Sequence, residues 1–519
     1  MTTLNLGQDW ELRADAANNR LLAEYTPNEI QFEMNEDGTL RPLNGGIDLG
    51  GADITNVGSV STEDLATADR DADIIIKKDE SGAIKAIGDE SQGEIASGSS
   101  LSSVFASARD ALTSGRDYKE KILIKGDYTL SNTLVPKDYL ILELRGSIEL
   151  ADGVDADMVK NADHSSGNTE LEIVGGTWNG NRANNTDGSG DIFNLHVNHL
   201  RIHGVTGKNA AKDFINATGG NSAILSENIG DNCFDEAFNI QYADGVIQMG
   251  DIAKNCDNGG FHPTTNGDMT VLGGCVAFAN GINYHLYDNE NVILSNCHGD
   301  RPDAKNVLVS ETAKRCRISG TFRNAGTINI HVQDTAGSAE ECVIDVTAIG
   351  AEEQNVRIEN APGTIVRGVI KESKFSNIEV RSEDVRLMGV SVGNSSESFA
   401  NPSQYPIRIM SGANACKVVA PVFESNTRLI SFEADDCAIL HSPDMSFSQI
   451  DATGARPVWN GVIGGGQLRG VDIGSITNVN GTQIARSDGT TGDQDAHYQF
   501  LAGGDWQALH DPTTTITPS

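Results

Sequence analysis

Clustered carboxylates are the side chains of this 519-residue sequence with the clearest capacity for chemistry. Several of them crowd into the segment GDNCFDEAF, and others stand in turn-like stretches further along the chain. Two carboxyl groups held about 5 to 9 Å apart can hydrolyse a glycosidic bond, and a carboxylate cluster that holds a metal ion beside a base can eliminate across a uronate. The candidate catalytic residues are Asp231, Asp235, Glu236, Asp257 and Asp300.

Histidines recur with a second kind of spacing. In Leu195-His196-Val197, Tyr284-His285-Leu286 and Ile330-His331-Val332, each ring stands between apolar neighbours. In a β-strand, alternation turns such a ring outward while its neighbours fill the core. Aligning the strands predicts one outward column that contains His196, Gln241, His262, His285, Leu308, His331, Arg357, Glu379 and Arg408.

Acidic and aromatic residues accompany this column. Carboxylates stand three positions after several of its members, at Asp244, Asp288, Glu311 and Asp334. The predicted ligand-binding residues are His196, Gln241, His262, His285, His331, Asp244, Asp288, Tyr242, Tyr284 and Tyr287. Three interpretations stay open: a solvated sheet face with ordinary His–Asp hydrogen bonds, a groove for hydroxyl-rich glycans, or a catalytic site.

The common enzyme and metal motifs do not occur in the sequence. It has no Gly-x-Ser-x-Gly, no His-Glu-x-x-His, no phosphate loop, no dinucleotide fingerprint and no Cys-x-x-Cys. The acids Asp152, Asp155 and Asp157 miss the spacing of a calcium loop, so we expect solvated turn acids that gather cations loosely. No cofactor and no specific metal site are expected.

A repeat of short strands must position all of these residues. Apolar segments recur through most of the chain at a nearly regular interval, with Gly, Asn and Asp between them. Cysteines between Cys233 and Cys342 follow a similar spacing, and Asn232, Asn255 and Asn296 each precede one of them. Such a period without intervening helices predicts a stacked β-solenoid of roughly fifteen coils. The cysteines would fill its narrow core as small apolar side chains, and the asparagines would sit in stacked turns.

One helix is predicted ahead of the coils. Leu101, Val104, Phe105, Ala108 and Leu112 follow helical spacing. A serine, Ser99 or Ser100, can cap the start of this helix, and Gly115 is placed to end it. A solenoid needs its open end covered, because an exposed strand stack invites edge pairing, so we expect this helix to be a cap.

The segment after this helix carries a family resemblance. Ile124-Lys125-Gly126-Asp127-Tyr128, followed by LVPKDYLILELRG, resembles the start of pectate-lyase-like right-handed parallel β-helices, particularly viral tailspikes. In that family the stretch usually reads Pro-x-Gly-x-Tyr, and this sequence departs from it only at the proline. The resemblance covers roughly residues 97–470 and implies an all-β, right-handed parallel β-helix. Tailspikes of this fold often cleave polysaccharide, but no catalytic motif of the family has a counterpart here.

The two ends of the sequence resemble assembly segments of fibres. The phrase Leu49–Gly58 resembles one common in tail fibres and spikes of head-tailed viruses, and Asp472–Gly481 is a looser copy. The predicted domains are an attachment segment at 1–45, a fibre-like linker at 46–96, the β-helix at 97–470 and a C-terminal assembly segment at 471–519. Their scattered apolar residues suit a homo-oligomer, with a trimer favoured, and binding to other virion proteins.

Net charge limits the partners. With 73 acidic and 38 basic residues, the formal charge is −35, which disfavours nucleic acid and anionic membrane as partners. The excess is spread along the chain, and its self-repulsion is relieved by screening in high salt. The first residues lack a secretory signal. We therefore expect a virion surface protein of a halophilic archaeal virus, made in the host cytoplasm.

Three roles stay open for such a protein. The first is host-surface attachment as a tail spike, fibre or capsid turret, through a glycan or an envelope protein. The second is a glycan depolymerase, either a hydrolase or a lyase, on the same scaffold. The third is a purely architectural virion component.

Overall fold

The computed structural model describes the solenoid over residues 72–88, 93–185, 190–265, 269–333, 340–393, 405–424, 430–434, 437–440 and 450–452, and nine short strands nearer the two ends. The chain forms two compact units, Met1–Asp71 and Ala72–Ser519. The phrases Leu49–Gly58 and Asp472–Gly481, and Asp334 beside the predicted column, lie outside the described residues.

The first unit contains an antiparallel meander. Its five strands pair in chain order. They are β1 (Thr3–Asn5), β2 (Trp10–Asp15), β3 (Arg20–Tyr25), β4 (Ile30–Met34) and β5 (Leu40–Pro42).

The second unit opens with three strands and a helix. They are β6 (Ile74–Lys78), β7 (Ile84–Ile87), β8 (Glu94–Gly98) and α1 (Leu101–Ala111). Strand β6 pairs with the first solenoid strand, so this hairpin-like group starts the stack. The predicted helix is confirmed in its position and in its apolar face, which starts at Leu101 and is buried. Ser100 stands at the N-cap position without a side-chain capping hydrogen bond, and the helix ends at Ala111, so the prediction that Gly115 ends it was wrong. It is the one α-helix among the described residues, and none of them forms a helix long and apolar enough to cross a membrane.

The solenoid strands follow without further helices in the described ranges. In chain order they are β9 (Glu120–Leu130), β10 (Leu140–Leu150), β11 (Val159–Lys160), β12 (Asn168–Val174), β13 (Thr177–Asn179), β14 (Phe193–Leu195), β15 (Val197–His203), β16 (Thr206–Lys208), β17 (Ile215–Thr218), β18 (Ala223–Ser226), β19 (Ile229–Asp231), β20 (Glu236–Gln241), β21 (Gly245–Met249), β22 (Ile252–Lys254), β23 (Gly259–Thr264), β24 (Met269–Gly273), β25 (Val276–Phe278), β26 (Ile282–Tyr287), β27 (Val292–Asp300), β28 (Lys305–Ser310), β29 (Arg317–Arg323), β30 (Ile328–Gln333), β31 (Val343–Ile349), β32 (Val356–Glu359), β33 (Ile365–Lys371), β34 (Ile378–Arg381), β35 (Arg386–Met388), β36 (Ser391–Val392), β37 (Ile407–Ile409), β38 (Lys417–Val419), β39 (Val422–Phe423), β40 (Ile430–Phe432), β41 (Ala438–Leu440) and β42 (Ile450–Ala452).

These strands stack into two parallel walls. One wall, which we call the thirteen-stranded sheet, consists of β11, β14, β17, β20, β23, β26, β28, β30, β32, β34, β37, β40 and β42. The other wall, the double sheet, contains two rows of strands that meet at a corner. The long strands β9, β10, β27, β29, β31 and β33 belong to both rows. Four short antiparallel strands near the C-terminus form a separate sheet: β43 (Gln483–Arg486), β44 (Ala496–Phe500), β45 (Trp506–Ala508) and β46 (Thr515–Ile516).

The all-β parallel solenoid is confirmed, but the predicted coil number is wrong. The stack makes about 12 turns instead of roughly fifteen. Many coils have the length of the one that leads from Phe238 to its register partner Phe261. Others are longer, because Val159 pairs with Phe193, and Ile378 pairs with Ile407. These longer coils reduce the number that the chain can form.

The glycine of the Lys125-Gly126-Asp127 motif stands at a close approach between coils. Gly126 has φ +104° and pairs with Gly146, which has φ +146°. A Cβ on Gly146 would lie 2.2 Å from the Gly126 carbonyl oxygen, so only glycine fits at this corner of the double sheet. The Tyr128 hydroxyl then donates to the Lys125 carbonyl at 2.7 Å, which folds the motif back on itself.

The core contains columns of like side chains. Aromatic rings follow one another through the core, with centroids 4.9 to 6.0 Å apart. The rings in or next to strands of the thirteen-stranded sheet are Phe193, Phe214, Phe238, Phe261 and Tyr284, and those at the two ends of the row, Trp178 in β13 and Phe322 in β29, belong to the double sheet. All eight cysteines are free and buried, as predicted. Asn232, Asn255 and Asn296 have φ between +53° and +59°, so the predicted asparagine turns are also confirmed.

A second set of asparagines, which was not predicted from the sequence, is buried inside the coils. Each Nδ2 donates to the Oδ1 of the next asparagine at 2.5 to 2.9 Å, and Asn283 starts this ladder. Its members are wholly buried: Asn283, Asn306, Asn329, Asn355 and Asn377. Four of them, the first to the fourth, also donate to a backbone carbonyl at the end of a double-sheet strand. The ladder therefore joins the two walls through the core.

Candidate functional site

Strand register defines one polar column on the outer face of the thirteen-stranded sheet. Neighbouring strands pair residue by residue, and the side chains between these positions, such as Phe261 and Leu286, are buried in the core. From β20 onward the column contains Asn239, His262, His285, Leu308, His331, Arg357, Glu379 and Arg408. The register therefore aligns seven of the nine residues predicted for the column.

Two members of the predicted column lie elsewhere. His196 follows the end of β14, and its Nδ1 lies 2.7 Å from the His164 carbonyl oxygen. Gln241 belongs to the neighbouring column, where it pairs with Thr264, and it donates to Asn239 Oδ1 at 2.8 Å. Placing them in the column was wrong. The sequence alignment used Gln241, the last residue of β20, and His196, the residue after β14, in place of the column positions within those strands. Asn194 and Asn239 occupy those positions.

His262 and His285 form the centre of the column. Their rings are stacked, with centroids 4.5 Å apart and planes 6° from parallel. Tyr287, from the neighbouring column, stands edge-on to both rings at 6.2 and 5.6 Å. Burial lowers the pKa of His285 to about 3, and it also lowers the pKa of His262. Both rings are therefore neutral at pH 7, and because each covers one face of the other, the pair presents an uncharged platform of ring edges.

The remaining predicted ligand-binding residues divide between core, corner and exposed positions. Tyr284 is wholly buried, and its hydroxyl donates to the Cys275 carbonyl at 2.7 Å, so its assignment to the binding face was wrong. Alternation places it on the inner side, beside Phe261. Tyr242 is exposed at a corner with φ +57°, and Asp244 is exposed nearby. Asp288, at the end of β26, accepts a hydrogen bond from Thr312.

Further along the column, His331 contacts a network of ion pairs between arginines and glutamates. Its Nε2 lies 3.0 Å from Glu359, and burial lowers its pKa to about 4. Arg357 contacts the same carboxylate, while Arg381 pairs with Glu379 at 2.8 Å. The charges in this part of the face largely neutralise one another.

A ladder of buried carboxylates borders the column on its N-terminal side. Each of the first three accepts a hydrogen bond at 2.9 or 3.0 Å from the backbone N–H of the next member, one coil on. The ladder consists of Asp157, Asp191, Asp213 and Glu236. In the first three, the second oxygen accepts from an asparagine of the column, Asn194, Asn216 or Asn239. Asp157 is thus a buried structural acid, and its assignment as a solvated turn residue was wrong.

The ladder ends in a cluster of three carboxylates. Oxygen atoms of Asp213, Asp235 and Glu236 all lie within 4.8 Å of one another. Asp213 is wholly buried and Glu236 is 5 % exposed, whereas Asp235 is half-buried. Burial, together with the charge of Asp235, raises the pKa of Glu236 to about 7. Burial and the charges of Asp191 and Glu236 also raise the pKa of Asp213 well above its usual range.

Polar groups of neighbouring coils hold this cluster in place. Asn258 Nδ2 donates at 2.8 Å to both Asp235 and Glu236. His262 Nδ1 lies 3.3 Å from Glu236 Oε1, which connects the cluster to the ring platform. Lys212 Nζ lies 3.8 Å from Asp213 and supplies positive charge. Three carboxylate oxygens at this spacing suit a hard cation such as Ca²⁺ or Mg²⁺. A proton shared among the three carboxyl groups reduces their mutual repulsion in the same way.

The other candidate catalytic acids stand apart from this cluster. Asp231, at the end of β19 in the double sheet, pairs with Lys254 at 3.0 Å. Asp300 accepts from Asn324 at 2.8 Å at the end of β27. Asp257 lies in the turn between β22 and β23 and pairs with Arg182. Of the five predicted acids, the structure brings only Asp235 and Glu236 together.

The third member of the cluster, Asp213, was not predicted from the sequence. Asp213 lies in AAKDFINA, without another acid beside it. A signal was nevertheless present, because Asp191, Asp213 and Glu236 recur at the spacing of one coil, each two positions before a core residue of the thirteen-stranded sheet. An acid repeated at the coil period indicates a column, and a column of buried acids indicates shifted pKa values.

Comparison with known proteins gives a likeness of fold. No family model matches the chain, and no curated protein sequence matches it. Among solved structures, the A-module of the Azotobacter vinelandii mannuronan C-5 epimerase AlgE4 is 14 % identical, with 66 % of this chain and 96 % of that chain covered and a TM-score of 0.48. Tailspike protein 3 of bacteriophage CBA120 is 10 % identical over 78 % of this chain and 66 % of its own, with a TM-score of 0.39.

A second tailspike has a similar likeness. The tailspike protein of E. coli bacteriophage HK620, solved in complex with a pentasaccharide, is 12 % identical over 70 % of this chain and 67 % of its own, with a TM-score of 0.33. At these identities and scores the likeness concerns the β-helix fold alone.

Proposed function

We propose that the outer face of the thirteen-stranded sheet binds a surface polysaccharide. The observation that carries this proposal is the stacked pair His262 and His285 with Tyr287 edge-on beside it. The edges of these neutral rings, with Tyr287 beside them, offer an uncharged aromatic surface for the C–H groups of a sugar. The neighbouring carboxylates and hydroxyls, such as those of Glu236 and Ser310, can hydrogen-bond sugar hydroxyls.

The setting we propose for this activity is host attachment by a virion of a halophilic archaeal virus, as a tail spike, fibre or capsid turret. Its support is the −35 charge and the fibre-like phrases of the sequence. We further propose a homo-oligomer, with a trimer favoured, that joins other virion proteins through its N-terminal segment. An apolar column on the outer face of the double sheet, formed by Ile224, Ile247, Val271 and Ile293, supports self-association.

Binding of purified protein to host cells tests the attachment proposal. The double variant His262→Ala with His285→Ala removes the platform, so cell binding should fall by at least about tenfold, which is the loss of a small number of stacking and hydrogen-bonding contacts. His203→Ala, in the double sheet, is the matched control, because its ring pairs with Glu172 away from this face. Unchanged binding by the double variant, with an unchanged melting temperature, would contradict the proposal and favour an architectural role.

A second candidate function is hydrolysis of the bound glycan, and the Asp213–Asp235–Glu236 cluster favours it. Glu236, with a pKa near 7, is suited to donate a proton to the glycosidic oxygen as the bond to the anomeric carbon breaks. The half-buried Asp235 then attacks that carbon and forms a covalent glycosyl ester. A water molecule, deprotonated by Glu236, releases the sugar and restores Asp235. Carboxyl groups this close suit the covalent route better than direct attack by an intervening water.

Release of reducing ends from host envelope glycan tests this activity. Glu236→Gln and Asp235→Asn should each lower the rate by about a hundredfold or more, while Asp244→Asn, on the exposed corner, should leave it unchanged. The wild-type rate should fall as the pH rises above about 7, because Glu236 loses the proton that it donates. Equal rates for the wild type and both cluster variants would refute catalysis at this site.

A further inference from the structure

Lys305 lies on the outer face of the thirteen-stranded sheet, near the column that contains His262 and His285. It begins β28, and the register of the thirteen-stranded sheet places it in one column with Glu236, Gly259 and Ile282. Three coil steps separate Glu236 from Lys305, which is about 14 Å along the solenoid axis. This stretch of the column therefore has an acid at one end and a base at the other, and Ile328 follows the base.

The positions between these two charges carry no polar side chain. Gly259 is buried beneath the Glu236 side chain, because a Cβ there would lie 3.0 Å from Glu236 Cγ. Ile282 is half-buried and follows as an apolar rung. The stacked rings of His262 and His285 run alongside in the outward column. The result is a strip whose centre can contact sugar rings and whose two ends differ in charge.

Lys305 is a cation that the described chain does not pair. No carboxylate in the described residues lies within ion-pair distance of its Nζ, although Glu353 and Glu359 are close enough to influence it. Glu359 is already engaged by Arg357 and His331. Burial and the nearby Arg357 lower the pKa of Lys305, so its ammonium group is held in a partly desolvated position at some cost. An anionic ligand at this point would offset that cost.

We infer that Lys305 is the binding subsite for an anionic sugar, a uronate or a sulfated residue, in a glycan that lies along the axis. This inference rests on the proposed function and specifies its ligand. The charged sugar binds at Lys305, and the intervening sugars lie over Ile282 and the rings. The neutral part of the chain lies beside Asp235 and Glu236, because two anionic groups there would repel each other.

Isothermal titration with matched oligosaccharides tests this subsite. The probes are a panel of uronate-containing oligosaccharides, their carboxyl-reduced neutral forms, and sulfated oligosaccharides of the same linkage. Lys305→Gln should weaken binding of the charged probes about tenfold, since a charge-assisted hydrogen bond is lost. Binding of the neutral forms should change by less than about twofold. If Lys305→Gln weakens the uronate probes more than the sulfated probes, the anion is a carboxylate, and if the order is reversed, it is a sulfate.

Lys371→Gln is the matched control, because this half-buried lysine ends a strand of the double sheet, away from the strip. Equal weakening of charged and neutral probes by Lys305→Gln, or no weakening at all, would overturn the subsite. If neutral probes bind the wild type, lose affinity in the His262 and His285 double variant, and exceed the charged probes in affinity, the subsite fails while the proposed function stands. If no carbohydrate binds the wild type, both fail.

Discussion

Asp251 shows what the solenoid interior does to a single carboxyl group. Its side chain is wholly buried, and Oδ1 accepts hydrogen bonds from the backbone and the side chain of Asn228 at 2.8 and 3.0 Å. The other oxygen, Oδ2, has no such bond among the described residues, nor has the side-chain amide of the buried Gln248. Burial raises the pKa of Asp251 to about 7. The residue is therefore accommodated as a neutral acid more readily than as an anion.

Asp251→Asn should stabilise the protein in a pH-dependent way. Because the folded pKa lies above the unfolded value of 3.8, the proton on Asp251 contributes stability that is complete below about pH 4 and is lost as the pH rises through 7. The amide cannot ionise, so the variant should gain about 2 to 4 kcal/mol in free energy of unfolding at pH 8.5 and little near pH 4.5. Urea unfolding at both pH values measures this difference.

Asp244→Asn serves as the control for this experiment, because Asp244 is exposed and its variant should leave the pH dependence of stability unchanged. A stabilisation of Asp251→Asn that is equal at both pH values would show that proton binding is not its cause.

At the scale of residues, strand alternation and the coil period predicted most members of the outward column correctly. They aligned His262, His285 and His331, because a strand of this length leaves little doubt about which side chains point outward. They failed for Tyr284, one position before His285, because the aromatic character of that residue was weighed above its parity. Asp213 was missed because shifted pKa values depend on burial, which a single acidic residue in the sequence does not reveal.

At the scale of elements, the asparagine ladder is the main polar connection that we describe between the two walls. Asn329 occupies its centre, accepting from Asn306 and donating to Asn355 and to the Ile349 carbonyl. Replacing it interrupts the connection between β30 and the double sheet. The buried Asn355 Oδ1 atom would then lose its donor, and the Asn306 amide and the Ile349 carbonyl would each lose one of two hydrogen bonds.

Asn329→Ala should therefore destabilise the solenoid by about 2 to 4 kcal/mol, the cost of leaving buried polar groups unsatisfied together with a small cavity. Chemical unfolding followed by circular dichroism measures the change. Asn198→Ala, at a half-buried position of β15, is the comparison and should cost less than about 1 kcal/mol. Equal losses in the two variants would mean that the ladder has no special role.

Elements were predicted best where one local rule governs them. The helix at Leu101–Ala111 follows from its apolar spacing, and the stacked strands follow from the coil period. The coil count was not predictable from that period, because Val159 and Phe193 pair across a longer stretch in which the period is interrupted. A loop can lengthen a coil without changing its strands, since closure entropy grows slowly with loop length.

At the scale of the whole molecule, the charge of −35 makes stability depend on salt. Repulsion among surface carboxylates acts over about 10 Å at 0.1 M salt and about 3 Å at 1 M. The melting temperature should therefore rise by about 5 °C or more between 0.1 and 2 M KCl. Differential scanning calorimetry measures the shift.

Sucrose separates the two explanations for such a shift. It strengthens burial by exclusion from the protein surface but does not screen charge. An equal rise in melting temperature in sucrose at matched osmolality would show that screening is not the cause.

The parallel strands of the solenoid also have a mechanical consequence. Backbone hydrogen bonds between stacked coils point along the axis, so a pull along that axis loads the coils in series. The weakest coil then opens first, and the full contour length of its chain is added to the length of the molecule. One coil leads from Lys305 to its register partner Ile328, and opening a coil of that length adds about 75 Å of extended chain. Under tension this solenoid would lengthen in discrete steps of that size, and the remaining coils would keep their shape.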